Sequence, residues 1–250
     1  MTADSSTTPP PRGPLGASFC TTRWTAVRRA KADSDEGRQA LADLCEAYYE
    51  PVAAFLKWEF RNSDAARDLA HEFFAAMLRG EAIANAERER GRFRSFLLGA
   101  VKHFLSNRRA AARRLKRGRG AECVSLDDED AAEARSVADA SVLSPDKAFD
   151  RQWALTVLAR AMEALRLEHV AEGREEFFES VKPWLTGDAT HGEQTMLVDQ
   201  TGLNATALRV AVHRTKKRFR QLVKAEVAQT LDNSNEVDAE VRELFAALVR

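Results

Sequence analysis

The stretch "FRSFLLGAVKHFLSNRRAAARRLKRGRG", from Phe93 to Gly120, joins an apolar helical pattern to a block of cations. Its first half predicts a helix with one face in a core, because apolar residues recur every three or four positions. These residues are Phe93, Phe96, Leu97, Val101, Phe104 and Leu105. From Lys102 to Arg119 there is no acid, and two glycines at the end predict the helix terminus. We therefore expect a helix that packs on one side and presents positive charge on the other.

Most other periodic segments also have the pattern of a helix. Ala, Leu, Arg and Glu dominate them, and β-branched runs between turn residues are missing. We therefore predict an all-α fold, with a first helix over about 37–60 in which Pro51 marks a kink or a junction. A second helix follows in "NSDAARDLAHEFFAAMLRG", with Ser63 as its cap and Gly80 as its end.

The segment "HGEQTMLVDQTGLNATALRVAVHRTKKRFRQLVKAEVAQ" has the organisation of a helix-turn-helix. A short helix runs to about Gln200, a turn follows at 201–203, and Asn204 caps a longer helix. The second helix of such a motif enters the major groove of DNA. A further helical set, from about Phe149 to a break at Gly187, precedes the motif. The final "EVDAEVRELFAALVR" predicts an amphipathic helix that packs back onto the protein or onto a partner.

Charge is segregated along the chain although the 38 basic and 38 acidic residues cancel. Basic blocks at 102–119 and 209–224 contain no carboxylate, and an acidic segment at 122–133 lies between them. Surface helices usually alternate opposite charges, because like charges repel at helical spacing. Cation runs without acids therefore favour contact with nucleic-acid phosphates over a merely solvated helix face.

Several classes of function are disfavoured by the sequence. No apolar run approaches the roughly 20 residues of a membrane helix, and the first residues lack a signal-peptide core. We therefore expect a cytoplasmic protein without a membrane partner. His71 and Glu72 resemble the start of a zinc-protease motif, but position 75 is Ala where the second histidine belongs. We accordingly expect no enzyme activity, no catalytic residue, no metal and no cofactor.

The motifs in their order resemble the sigma-70 superfamily of bacterial RNA polymerase sigma factors, of the extracytoplasmic-function (ECF) type, from about Thr21 to the C-terminus. "TTRWTAVRRAKADSDEGRQALADLCEAYYEPVAAFLKW" is similar to the first helices of family region two, and "SDAARDLAHEFFAAML" to its polymerase-binding helix. "ERGRFRSFLLGAVKHFLSNRRAAARR" is similar to the part that melts the promoter, and "GLNATALRVAVHRTKKRFRQLVKAEVAQT" to region four. The usual "LPxxxR" before region four is absent.

The resemblance implies two small helical domains joined by a flexible acidic linker. The parts are a region two domain at 21–118, the linker at 119–147, a region four domain at 148–232 and a C-terminal amphipathic helix at 233–250. Before them, three consecutive prolines with Ser and Thr predict a disordered tail at 1–20. In this family region two binds core polymerase and the minus-ten promoter element, and region four reads the minus-thirty-five element.

The resemblance also implies three groups of site residues, and residues 81–92 match the loop that captures an unstacked promoter base. Those for core polymerase are Arg67, Asp68, Leu69, Glu72 and Phe73. Those for minus-ten DNA are Arg92, Arg94, Lys102, His103, Ser106, Asn107, Arg109 and Arg113. Those for minus-thirty-five DNA are Asn204, Thr206, Arg209, Val210, His213, Arg214 and Lys217.

The function that follows is that of a dissociable sigma subunit, which binds core polymerase, recognises both promoter elements and promotes initiation. Its implied partners are core RNA polymerase, promoter DNA and an anti-sigma factor or other regulator. A stand-alone helix-turn-helix regulator is the alternative, and tight operator binding without polymerase would favour it. A pure interaction protein is a third class, for which Arg209 and Arg214 would be dispensable.

Overall fold

The computed structural model describes residues 34–79, 92–118, 144–185, 197–198, 201, 203–231 and 233–249. Every regular element in these ranges is a helix, so the predicted all-α class is confirmed for them. The α-helices are α1 (Asp35–Phe60), α2 (Ser63–Leu78), α3 (Phe93–Gly118), α4 (Pro145–Ala171), α5 (Glu175–Val181), α6 (Ala205–Ala228) and α7 (Val237–Val249). Short 3-10 helices occupy Lys182–Leu185 and Ser234–Glu236.

Some sequence predictions concern residues outside the described ranges. These are the tail at 1–20, the loop before Arg92 and most of the acidic linker. Of the first helix of the helix-turn-helix, only Leu197, Val198 and Thr201 are described, and all three are helical. Thr201 was predicted in the turn and is instead helical. Its Oγ1 donates to the Leu197 carbonyl oxygen at 2.7 Å, a bond that a helical backbone places within reach.

The ends of the helices follow local capping chemistry. The cap of α2 is Asn62, not the predicted Ser63: its Oδ1 accepts from the backbone N–H groups of Asp64 and Ala65 at 3.0 and 3.1 Å. At α4, the Ser144 Oγ accepts from the Lys147 N–H at 3.3 Å, and Pro145 occupies the first turn. The helix therefore begins four residues before the predicted start at about Phe149.

Helices from both predicted domains contribute to one hydrophobic core. α1 packs against α2 and α4, and α4 also packs against α6 and α7. Fully buried side chains include Leu56 of α1, Phe93 of α3, Phe149 of α4 and Leu244 of α7. The division into two domains is not confirmed by this arrangement, in which the described helices of both halves bury their apolar faces together.

The face of α3 that the sequence assigns to the core is buried as expected. Phe93, Leu97, Val101 and Leu105 are all buried, and Phe96 and Phe104 are partly buried against the same core. The rings of Tyr48 and Phe93 meet edge to face with centroids 5.0 Å apart. These contacts fix α3 along its apolar side and leave its polar side toward solvent.

A second, smaller core lies beneath the start of α6. Leu197, Leu208, Val181 and Trp184 form it, so the described part of the first helix packs against the second helix of the motif. This packing orients α6 relative to the residues that precede it. None of the helices in the described ranges combines the length and the apolar character that a membrane span requires.

Candidate nucleic-acid interface

The exposed face of α6, with its cap, holds every residue predicted for minus-thirty-five DNA. The side chains of Asn204, Thr206, Arg209, Val210, His213, Arg214 and Lys217 are all exposed. Asn204 is confirmed as the cap, because its Oδ1 accepts from the Ala207 N–H at 2.8 Å. An open groove of about 750 Å³ runs beside the first turns, lined by Thr206, Val210 and Arg214 among others. The first turns of α6 therefore place these exposed side chains beside an open groove.

Three cations on this face carry no ion pair within the described residues: Arg209, Arg214 and Lys217. A phosphate can approach them without displacing a carboxylate. Val210, between the two arginines, is 45% exposed and is the kind of apolar side chain that contacts a thymine methyl group. Hydrogen-bond donors and an apolar side chain on one face are the groups that distinguish base edges in a DNA groove.

Arg218 holds α6 to the rest of the fold. Its Nη2 lies 2.5 Å from Glu168 Oε1 and its Nε lies 2.9 Å from Oε2, which makes the pair bidentate between α6 and α4. Hydrogen bonding by Arg218 lowers the pKa of Glu168, and burial opposes that shift only in part. One cation of the basic block is thus used for structure rather than for an outside partner.

α3 carries six predicted minus-ten residues on its exposed side: Lys102, His103, Ser106, Asn107, Arg109 and Arg113. The absence of acids in that stretch of sequence does not leave its cations unpaired. Lys102 Nζ lies 2.7 Å from Asp146, Arg109 Nη2 lies 2.7 Å from Glu59, and Arg108 pairs with Glu72. Folding supplies carboxylates from α1, α2 and α4. Solvent-exposed pairs of this kind are weak, so phosphates can replace them.

The first turn of α3 differs from the rest of that face. Arg94 is only 12% exposed, and its Nε and Nη1 lie 2.5 Å from Glu240 of α7 and from Asp150 of α4 respectively. Arg92 Nη1 lies 2.9 Å from the same Glu240, whose side chain is fully buried. Burial alone would lower the pKa of Arg94, but hydrogen bonds and charge from Glu240 and Asp150 outweigh it and raise that pKa. Arg92 and Arg94, two of the four predicted minus-ten arginines, are therefore held internally in this structure.

The residues predicted to bind core polymerase divide into two groups on α2. Leu69 and Phe73 are 7% and 1% exposed and belong to the core, so their rings and methyls face the protein's own interior. Arg67, Asp68 and Glu72 are exposed on the opposite side. Only these three present side chains to a partner in this structure, and Glu72 is already paired with Arg108.

Sequence reasoning missed the carboxylates that face the predicted DNA-binding cations, namely Glu59, Asp146, Asp150 and Glu240. Most could not be found, because Glu240 and Arg94 lie 146 positions apart in the chain. One signal was present: Glu240 falls on the apolar side of α7, with Val237 three positions before it and Leu244 four after it. A lone acid in a core stripe indicates a buried partner of opposite charge.

No metal-binding group of three or more His, Cys, Asp or Glu side chains occurs in the described residues.

A scan against family models gives no match to this chain, and neither does a search of curated proteins or of solved structures. The resemblance to sigma factors therefore rests on the motifs of the sequence alone.

Proposed function

We propose that this protein is a dissociable sigma subunit of bacterial RNA polymerase, of the ECF type, that recognises promoter DNA and promotes initiation. The observation that carries the proposal is the exposed face of α6, where Arg209, Arg214 and Lys217 have no ion pair with any residue that the structure describes. The order of motifs around it supports the same proposal, since a segment that resembles the family's polymerase-binding helix and a basic segment that resembles its promoter-melting part precede this face in the chain.

Each part of the chain has a role in this proposal. The exposed Arg67, Asp68 and Glu72 of α2 contact core polymerase, α3 follows the minus-ten DNA, and α6 enters the major groove at minus-thirty-five. The segments 21–118 and 148–232 then act as two domains on polymerase, joined by the acidic segment, inside the cytoplasm. An anti-sigma factor or other regulator would control the free protein.

Promoter opening by such a protein needs no covalent chemistry. The protein has only to bind the melted strand more tightly than the closed duplex, because unpairing a base costs a few kcal/mol that new contacts must offset. Cations on α3 suit this task, since their weak surface pairs with Asp146 and Glu59 can be exchanged for phosphates.

The test is co-elution of the full chain with purified core polymerase in gel filtration. We expect a stoichiometric complex that Asp68→Ala weakens and that Glu176→Ala, an exposed acid on α5, leaves unchanged. Failure of the wild-type chain to co-elute, while it still binds DNA, would reject the proposal.

A stand-alone helix-turn-helix regulator is the second candidate. It is favoured by one observation: Arg209, Arg214 and Lys217 of α6 have no ion pair within the described residues. In contrast, Lys102, Arg108 and Arg109 of α3 already have partners. Such a regulator would read DNA through α6 alone. It would protect a specific duplex site from nuclease without polymerase, and added core polymerase would leave that footprint unchanged.

A further inference from the structure

The C-terminal part of the chain holds the first turn of α3 at two levels. In the backbone, the Phe93 N–H donates to the Thr230 carbonyl oxygen at 3.2 Å. In the side chains, Glu240 of α7 accepts from Arg94 at 2.5 Å and pairs with Arg92 at 2.9 Å. Residues after α6 therefore cover the point at which α3 begins.

The positive and negative charges of this side-chain cluster balance one another. Two guanidinium groups, Arg92 and Arg94, face two carboxylates, Asp150 and Glu240. Arg94 also lies over the ring of Trp153, with 4.9 Å from its Cζ to the centroid. While Glu240 is in place, Arg94 is almost inaccessible to an external anion. The charges of both arginines are also already neutralised.

The attachment of α7 is shallow in comparison. Its buried side chains are Leu244 and Glu240, while Phe245 and Val249 are 50% and 87% exposed. Val241 and Leu248 are only partly buried against the core. The ion pairs of Glu240 thus add to the packing of Leu244 and to a second ion pair, between Asp238 and Lys224 of α6, in fixing this helix. A competing anion at Arg92 and Arg94 would remove the contribution of Glu240.

A phosphate is an anion of the right kind. Arginine binds carboxylate and phosphate in the same fork geometry through two parallel N–H groups. The two arginines flank Phe93, the first residue of α3, and precede the face that carries Lys102, His103 and Ser106. DNA that follows this face toward the start of the helix would meet Arg92 and Arg94 next.

We propose that α7 is an intramolecular clasp, in which Glu240 occupies in the free protein the place that a DNA phosphate takes on Arg92 and Arg94. Binding of the melted strand to α3 displaces Glu240 and releases α7 from the start of that helix. The face of α6 stays open throughout, so duplex binding does not need the release. This inference rests on the proposed function for the role of α3 and goes beyond it in assigning a regulatory role to the C-terminal helix.

The first test compares Glu240→Gln with Glu243→Gln in the full chain. Glu243 is an exposed acid on the same helix that lines the small cavity beside Arg94 but has no ion pair within the described residues. Glu243→Gln therefore makes the same chemical change in the same surroundings without removing an ion pair of the clasp. The probes are a forked DNA with a single-stranded arm and a blunt duplex of the same length, measured by fluorescence anisotropy. Circular dichroism checks that both variants are folded.

We expect Glu240→Gln to bind the fork about tenfold more tightly than wild type, as it would if a closed state populated about ten to one were lost. Blunt-duplex affinity should change less than about twofold, and Glu243→Gln should behave as wild type. Equal fork affinity for wild type and Glu240→Gln, or no fork binding by either, would overturn the clasp.

A second test uses the wild-type chain and therefore does not depend on the folding of a variant. Hydrogen exchange of the chain bound to the fork should show faster exchange across Val237–Val249 and slower exchange across α3 than in the free chain. Unchanged protection of α7 in that complex rejects the clasp. If the same wild-type chain still directs transcription by core polymerase, the clasp alone has failed. If α7 is released but polymerase is never directed, the sigma proposal alone has failed.

Discussion

Arg94 and Arg214 have the same side chain in two different environments. Arg94 is held by two carboxylates and an indole ring, and it is 12% exposed. Arg214 is exposed beside an open groove and has no ion pair within the described residues. A substitution at Arg94 therefore alters both the stability of the fold and the predicted DNA-binding surface, whereas a substitution at Arg214 tests DNA binding alone.

Replacement of Arg214 by alanine should weaken DNA binding by about 1 to 3 kcal/mol if this arginine contacts a base edge. The free energy of unfolding should change by less than about 0.5 kcal/mol, because the side chain is exposed and has no ion-pair partner among the described residues to lose. Anisotropy titration and thermal melting measure the two quantities. Arg151→Ala, at an exposed cation of α4, is the matched control and should alter neither.

Substitutions at two residues of the predicted polymerase-binding helix should affect different properties, one the stability of the fold and the other the binding of polymerase. Phe73→Ala should lower the free energy of unfolding by about 3 to 5 kcal/mol, because the ring is 1% exposed and its loss leaves a cavity. Asp68→Ala should leave stability unchanged and weaken co-elution with core polymerase. Urea denaturation measures the first effect, and a stable Phe73→Ala protein with selective loss of polymerase binding would show that the ring acts outward.

At the scale of elements, α3 and α6 were largely predictable from the sequence. The apolar period and the paired glycines predicted α3 from Phe93 to about Gly118, and an asparagine before a good helix former marked Asn204 as a cap. The partners of the α3 cations were not predictable, because Glu72 lies 36 positions away from Arg108 and Asp146 lies 44 from Lys102. Local periodicity carries no information about contacts made by distant helices.

The link between α4 and α6 predicts a pH dependence. The pKa of Glu168 is lowered in the folded protein, mainly by hydrogen bonds from Arg218. An unfolded glutamate titrates near about 4.3, so the pair stabilises the fold above that value and loses its effect as pH falls through the lower folded pKa. Because the pair is partly exposed, its contribution stays below about 1 kcal/mol.

Glu168→Gln should therefore be slightly less stable than wild type near neutral pH and no less stable at about pH 3. Urea denaturation at the two pH values measures the difference. Glu176→Gln, at an exposed glutamate of α5, should show no such difference. A Glu168→Gln deficit that persists or grows in acid would contradict the assignment of the pair.

At the scale of the whole molecule, the shared core joins helices that the resemblance to sigma factors assigns to two domains. α1 and α4 come from different predicted domains and pack against each other, with Leu56 and Phe149 fully buried in the same cluster. The free protein should therefore unfold by urea in one transition, with coincident curves from circular dichroism and tryptophan fluorescence. Two separated transitions would show that the halves fold independently.

If the two segments act as separate domains on polymerase, docking requires this shared core to open in part. The clasp at Glu240 is one of the contacts that would have to break. The buried apolar surface between α1 and α4 opposes that opening, and new contacts with polymerase and DNA would have to offset it. The acidic segment between α3 and α4 gives a chain connection that can remain intact throughout.

The most direct measurement is transcription by core polymerase on sheared genomic DNA, with and without the full chain, followed by sequencing of transcript 5′ ends. The sigma proposal predicts discrete starts that depend on the added protein and share two upstream sequence blocks, one for α3 and one for α6. Arg214→Ala should reduce initiation at those starts, whereas Arg151→Ala should not. Starts that ignore the protein, or that share no upstream sequence, would contradict it.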